Sequence, residues 1–133
     1  MNVLLVSANR IDRMFLDAFR ESLEKNGIKS YTMIEIIHVS LTAYDWDKGI
    51  FDGTKVIEKI KSKIPRMPST LVISIFSPEV EYNGTYPECM VRENLVLFSI
   101  GNLMRRGTIK DPVSYIRDNI SRFIRAENCI TLN

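Results

Sequence analysis

Residues 81–101 read EYNGTYPECMVRENLVLFSIG, and their folding decides how the rest of the chain is laid out. The first part is turn chemistry: Asn83-Gly84 readily takes positive φ, and Pro87 comes shortly after. From about Glu88 to Arg105 the spacing predicts a helix that is apolar over most of its circumference, through Met90, Val91, Leu97, Phe98 and Ile100. Arg92, Ser99, Asn102 and Arg106 fall near one polar line. A helix this apolar has to be enclosed. Glu93 sits in its first turn, where the helix dipole favours a carboxylate and desolvation would raise its pKa. The position suits an acid that stabilises charge at a glycosidic bond, and equally a plain first-turn acid paired with a base.

Upstream, Leu71-Val72-Ile73-Ser74-Ile75-Phe76 is an apolar run of strand length, as is Val3-Leu4-Leu5-Val6. Such runs mark strands covered on both faces. Ile11, Met14, Phe15, Ala18, Phe19 and Leu23 recur at helical spacing up to an Asn26-Gly27 stop. Ser30 to Ile37 reads as a second strand, Leu41 to Gly53 as a polar and aromatic loop, and Asp52-Gly53-Thr54 as the start of a second helix ending before Pro65. Downstream, Asp111-Pro112 opens a last helix presenting Val113, Ile116, Ile120, Phe123 and Ile124, and Cys129 to Leu132 adds a closing strand. The alternation predicts one α/β domain over residues 1–133, with an open parallel sheet of four to five strands and helices on both faces.

With 133 residues, of which 45% are hydrophobic, the chain can bury a real core. A net charge of +2, spread along the chain, gives no polyelectrolyte footprint, so neither nucleic acid nor a membrane surface is expected as a partner. Cys89, Cys129 and the lone His38 do not make a recognisable zinc set. No charged leader with an apolar signal segment is seen, so a cytoplasmic protein with reduced thiols is expected.

In open parallel sheets ligands sit at the carboxyl ends of the strands, where strand order reverses. That rule nominates Ser7, Asn9 and Arg10 on one side and Ser77 and Glu79 on the other, joined by Tyr82, Asn83 and Ser99. SANRID, after the first strand, has no glycine and no run of hydroxyls, so the usual phosphate cradle is missing. Arg10 is either a bidentate phosphate donor or a solvated residue at a helix start. Trp46 either stacks on a planar ring or covers the edge of the core.

Taken in order, VLLVSANRIDRMFLDAFRESLEKNGIKSY, FDGTKVIEKIKSKI, STLVISIFSPEV and RENLVLFSIGNLMRRG resemble segments of TIR (Toll/interleukin-1 receptor) and bacterial TIR-like nucleotide-binding domains. The resemblance covers residues 3 to about 107 and rests on order and spacing. It implies a flavodoxin-like or TIR-like fold that binds NAD or a related nucleotide and either cleaves the nicotinamide ribosyl bond through a helix glutamate or acts as a scaffold or sensor by self-association. Ser7 and Asp12 match the first-strand box, and Ser77 and Pro78 the end of the third strand. One count places Glu93 at the acid's position and another places Ser99 there. SPEVEYNGTYP is also similar to the flavin-cradling loop of NADPH-dependent FMN reductases, interrupted by Val80 and Glu81, which keeps FMN as an alternative cofactor. A third reading is a catalytically silent interaction module using Trp46, Tyr82 and Tyr86.

Overall fold

The computed structural model describes residues 2–132. The first apolar run forms strand β1 (Asn2–Ala8), whose last four residues are buried. Asp12 then leads into α1 (Arg13–Lys25), which buries Phe15, Ala18, Phe19 and Leu23 on one stripe. After Gly27, at φ 72°, the chain returns as β2 (Lys29–Thr32), parallel to β1. A small antiparallel pair, β3 (Tyr44–Asp45) and β4 (Ile50–Asp52), occupies the predicted loop. Asp52 caps α2 (Gly53–Lys63) by accepting the Thr54 N–H, and the helix stops before Pro65. The second long apolar run is β5 (Thr70–Phe76).

Beyond β5 the chain departs from the predicted helix. Instead of a helix over 88–105 there are β6 (Val80–Glu81), β7 (Cys89–Arg92), β8 (Leu95–Ser99) and only then a short helix, α3 (Ile100–Arg105). β7 and β8 form an antiparallel hairpin around a two-residue turn, Glu93-Asn94, in which Glu93 takes φ 54°. The segment is apolar all round because β8 is buried on both faces, a pattern that periodicity alone cannot tell from an enclosed helix. The predicted last helix is α4 (Pro112–Ile124), capped by Asp111, and the closing strand is β9 (Ile130–Thr131).

The main sheet has the order β2-β1-β5-β8-β7-β9, and β3, β4 and β6 form a second, three-stranded sheet. The expectation of an open, mainly parallel α/β sheet holds, widened to six strands and made mixed by β7. One face carries α1 and α4 over a core in which Phe19, Phe98 and Phe123 pack with centroids 4.8 to 5.9 Å apart. The other face carries α2, whose Val56, Ile57 and Ile60 join Val6, Phe76 and Leu97 in a second core.

The expectation of reduced thiols is corrected. Cys89 at the start of β7 and Cys129 before β9 are joined as a disulfide. Neighbouring parallel strands bring these two positions together, a proximity with no trace in the spacing of the cysteines. No helix among the described residues is long and apolar enough to cross a membrane.

Candidate functional site

The residues expected to build a cleft at the carboxyl edge instead knit that edge together. Asn9, at φ 58°, donates from Nδ2 to the Val39 carbonyl (3.2 Å) and accepts the Val39 N–H at Oδ1 (2.7 Å). Ser99 caps α3, accepting the Asn102 N–H at 3.0 Å while donating to the Pro78 carbonyl at 2.8 Å. Asn102, 1% exposed, accepts the Val80 N–H and donates to the carbonyls of Val80 and Pro87. These bonds fix the 78–87 loop against the N-terminus of α3. The contact is close because residue 101 is glycine: a Cβ there would come within 2.5 Å of the Glu79 nitrogen.

In that loop Glu79 is paired with Arg105 at 2.8 Å, and Asn83 (φ 49°) and Gly84 (φ 76°) form its tip. Buried Glu81 accepts the Gly84 N–H and pairs with Lys48, and those two bonds hold its carboxyl below the usual range. The resemblance to a flavin loop is therefore met by a self-satisfied turn.

Ser7 is buried, while Arg10, Asp12 and Ser77 are exposed. Trp46 is 71% exposed and meets the Tyr44 ring edge-on, at 4.8 Å. Tyr86, 40% exposed, lies under the Arg105 guanidinium, 3.7 Å from its centroid, and Tyr82 is partly buried.

Glu93 is not with this group. β8 runs parallel to β5, so the hairpin turn lies at the amino ends of the parallel strands, about 20 Å from Ser99 at 3.3 Å per residue. Its carboxylate is in solvent and bound to Lys61 at 2.7 Å; that bond and the Lys61 charge depress its pKa, with smaller help from Arg66 and Arg92. The expected desolvated acid at a helix start is thus an exposed, ion-paired residue of a hairpin.

Two concave regions flank the sheet, one at each end. A cavity of about 460 Å³ lies beside the β7–β8 hairpin, between the end of α2 and the 65–68 loop. A larger groove, about 670 Å³, runs between α1 and the segment after β2, lined among others by Ile11, Leu16, Met33, Ile34 and Ile36. Its shape comes from a bulge. Met33 N–H donates to Leu5 and Ile37 N–H to Ser7, so four steps of chain on one side match two on the other. The surplus throws Ile34, Glu35 and Ile36 outward, leaving Ile34 97% exposed and Ile36 53% exposed. Tyr31 on β2 and Met14 on α1 are also about half exposed, and β2 is the outermost strand of its sheet. Of the expected site residues Ser7 lines this groove, but sequence reading misses the rest of it: Ile34 and Ile36 are expected inside a strand, and an unpaired surplus of two residues leaves no mark in periodicity.

No family model matches the chain, and no curated protein matches it either. Among solved structures it is similar to a zinc-dependent peptidase from Methanocorpusculum labreanum, with TM-score 0.67 and 11% identity over 92% of this chain and 78% of the other. It is also similar to the archaemetzincins of Archaeoglobus fulgidus (TM-score 0.65, 13% identity, 92% and 72% covered) and Methanopyrus kandleri (TM-score 0.66, 14% identity, 93% and 71% covered). At such identities the likeness shows the fold. It overturns the TIR-like and flavodoxin-like assignments, and with them NAD and FMN as ligands and NAD cleavage through Glu93 as the chemistry, and it gives no support to an interaction module built on Trp46, Tyr82 and Tyr86.

Zinc, which the neighbours' names imply, is tested by the donor set. A zincin holds its metal through two histidines of an H-E-x-x-H helix, and a metzincin adds a third at H-x-x-G-x-x-H. This chain has one histidine, His38, exposed beyond β2 and far in sequence from any helix that could supply a partner in that pattern. Among the described residues no three His, Cys, Asp or Glu side chains are grouped to hold a metal, and both cysteines are consumed in the disulfide. The chain has the fold of the archaemetzincin-like peptidases, and its described residues hold no zinc ligand set.

Proposed function

We propose that this protein is a peptide-binding domain of archaemetzincin-like architecture, which takes the class of ligand its structural neighbours act on but has no zinc centre with which to cleave it. The observation that carries this reading is the free edge of β2 with Ile34 and Ile36 displayed beside the 670 Å³ groove. An unpaired strand edge offers a row of N–H and C=O groups to an extended peptide, and alternate side chains of that peptide would enter the groove. Burying one isoleucine is worth about 1.5–3 kcal/mol, which supplies a reason for the two residues to be displayed. Charge adds a preference. Arg13 and Arg20 both pair with Asp17, at 3.9 and 3.2 Å, and Arg20 also with Glu21 at 3.9 Å, but within the groove lining two arginines face one aspartate, which suits an acidic peptide residue.

The test is fluorescence anisotropy with a labelled extended peptide carrying isoleucine at alternate positions and one glutamate. Saturable binding is expected, weakened about tenfold or more by Ile34→Asp. Equal binding by wild type and Ile34→Asp, or cleavage of the peptide that a zinc chelator stops, would overturn the reading.

A further inference from the structure

The 460 Å³ cavity at the opposite end of the sheet has a different construction, and the peptide-binding reading does not use it. Its floor is apolar, from Ile64, Met67, Val72 and Leu95, the last two nearly inaccessible. Pro65 and Pro68 stiffen one wall by fixing their φ angles. The mouth is charged: Lys61 and Arg66 line it, and Glu93 reaches from the hairpin turn to bond Lys61 at 2.7 Å. Arg92, paired to Glu58 at 3.5 Å, contributes a further positive field at the Glu93 carboxylate.

Two features set this mouth apart from an ordinary surface ion pair. Glu93 is held at φ 54°, a backbone conformation that a side chain rarely adopts, in the turn that forms the rim. The turn's other residue, Asn94, is fastened to the opposite wall, donating to the Met67 carbonyl at 2.9 Å and the Thr70 carbonyl at 2.6 Å. The rim is therefore positioned while the Glu93 side chain itself stays in solvent, 73% exposed. A carboxylate above an apolar pocket, facing two lining cations, occupies the place that the head of an amphipathic acid would take.

From this geometry we infer that the cavity binds a small apolar carboxylic acid, whose hydrocarbon body rests on Ile64, Val72 and Leu95 while its carboxylate replaces Glu93 on Lys61, with Arg66 beside it. Glu93 is then a competitor that the ligand displaces. The volume lies within the range of small-molecule sites. Because the displaced carboxylate is already exposed, moving it aside uncovers no buried charge.

The experiment is a titration of ¹⁵N-labelled protein with 4-phenylbutanoate and, separately, with the neutral 4-phenylbutanamide, following the amide signals of Met67, Glu93 and Asn94. Saturable shifts with the acid are expected, with the amide about tenfold weaker. Lys61→Gln should reduce acid binding to the level of the amide, whereas Glu93→Gln should strengthen acid binding severalfold. The opposite signs matter, since both variants break the same ion pair and a merely structural role would move binding one way in both. A leucine-terminated peptide acid that displaces phenylbutanoate would support the site and make a peptide C-terminus its source; failure to displace would support it with a free acid as the source. Equal binding of acid and amide, no saturation, or weakening by both variants would overturn the inference.

Discussion

Breaking the Cys89–Cys129 bond is the perturbation whose size is best fixed by the fold. The bridge joins residues 40 positions apart and ties the last strand, β9, to β7. In the chain-entropy account a cross-link closing about 15 residues stabilises by about 3 kcal/mol and one closing about 100 by about 4.7, so this one is worth about 4 kcal/mol. That is a large share of the roughly 5–15 kcal/mol by which domains of this size are stable. Besides the bridge, β9 pairs at two positions, Met90 with Ile130 and Val91 with Thr131, the Leu132 N–H bonds the Val91 carbonyl at 2.7 Å, and Ile130 and Leu132 pack into the core on the α2 face. Reduction therefore also lets the C-terminus fray from the sheet edge. Cys129→Ala is the cleaner variant, because Cys89 is 2% exposed and its truncation would add a cavity. Urea unfolding monitored by circular dichroism, with and without a phosphine reductant, reads the effect. At a slope of about 1.5 kcal/mol per molar urea the midpoint should fall by about 2.5 M in the variant, and by the same amount in reduced wild type. Two free thiols in the untreated protein, or a midpoint unmoved by the reductant, would refute the reasoning.

Other substitutions probe the loop, its packing on α3 and three bonded carboxylates. Asn102→Ala leaves the Val80 N–H and the carbonyls of Val80 and Pro87 without their buried partner, at a cost of about 3–5 kcal/mol and a fall in melting midpoint of about 10–20 °C by calorimetry. Gly101→Ala forces a Cβ against the backbone of Pro78 and Glu79, so it should destabilise by about 1–3 kcal/mol in urea titration although alanine favours helices elsewhere. Glu81, Glu93 and Asp111 are each held below their usual pKa, by the Gly84 N–H and Lys48, by Lys61, and by the Ser114 hydroxyl and N–H respectively. A depressed carboxylate contributes stability above its unfolded pKa and loses it as pH falls through the folded value, so the midpoint should hold from neutrality to about pH 5 and drop below about pH 4. Lys48→Met should flatten that acid limb, an effect visible in thermal melts across the range.

Much of the architecture is legible in the sequence because it is local. Phe15, Phe19 and Leu23 at helical spacing, the Asp52 and Asp111 caps, and the runs at residues 3–6 and 71–76 each specify an element without reference to the rest of the chain. Residues 88–105 mislead because enclosure, not period, makes Leu95 to Ile100 apolar. The polar break at Arg92-Glu93-Asn94 is the available sign of a turn, and without glycine it passes for a helix start. That confusion moves Glu93 to the wrong end of the sheet, since strand direction, which no residue encodes locally, decides which edge a turn faces. The displayed Ile34 and Ile36 are hidden for a related reason: a β-branched run looks the same whether it lies in the ladder or is bulged out of it. Ser99 and Asn102 stand out as polar positions, but their work is to satisfy the backbone of a loop.

If the described residues hold no zinc ligand set, metal stoichiometry will show it. The purified protein is equilibrated with excess zinc, passed through gel filtration to remove loosely held metal, and assayed for zinc per chain by plasma mass spectrometry. The single histidine and the disulfide-bonded cysteines predict far less than one zinc per chain. One zinc retained per chain would contradict the account.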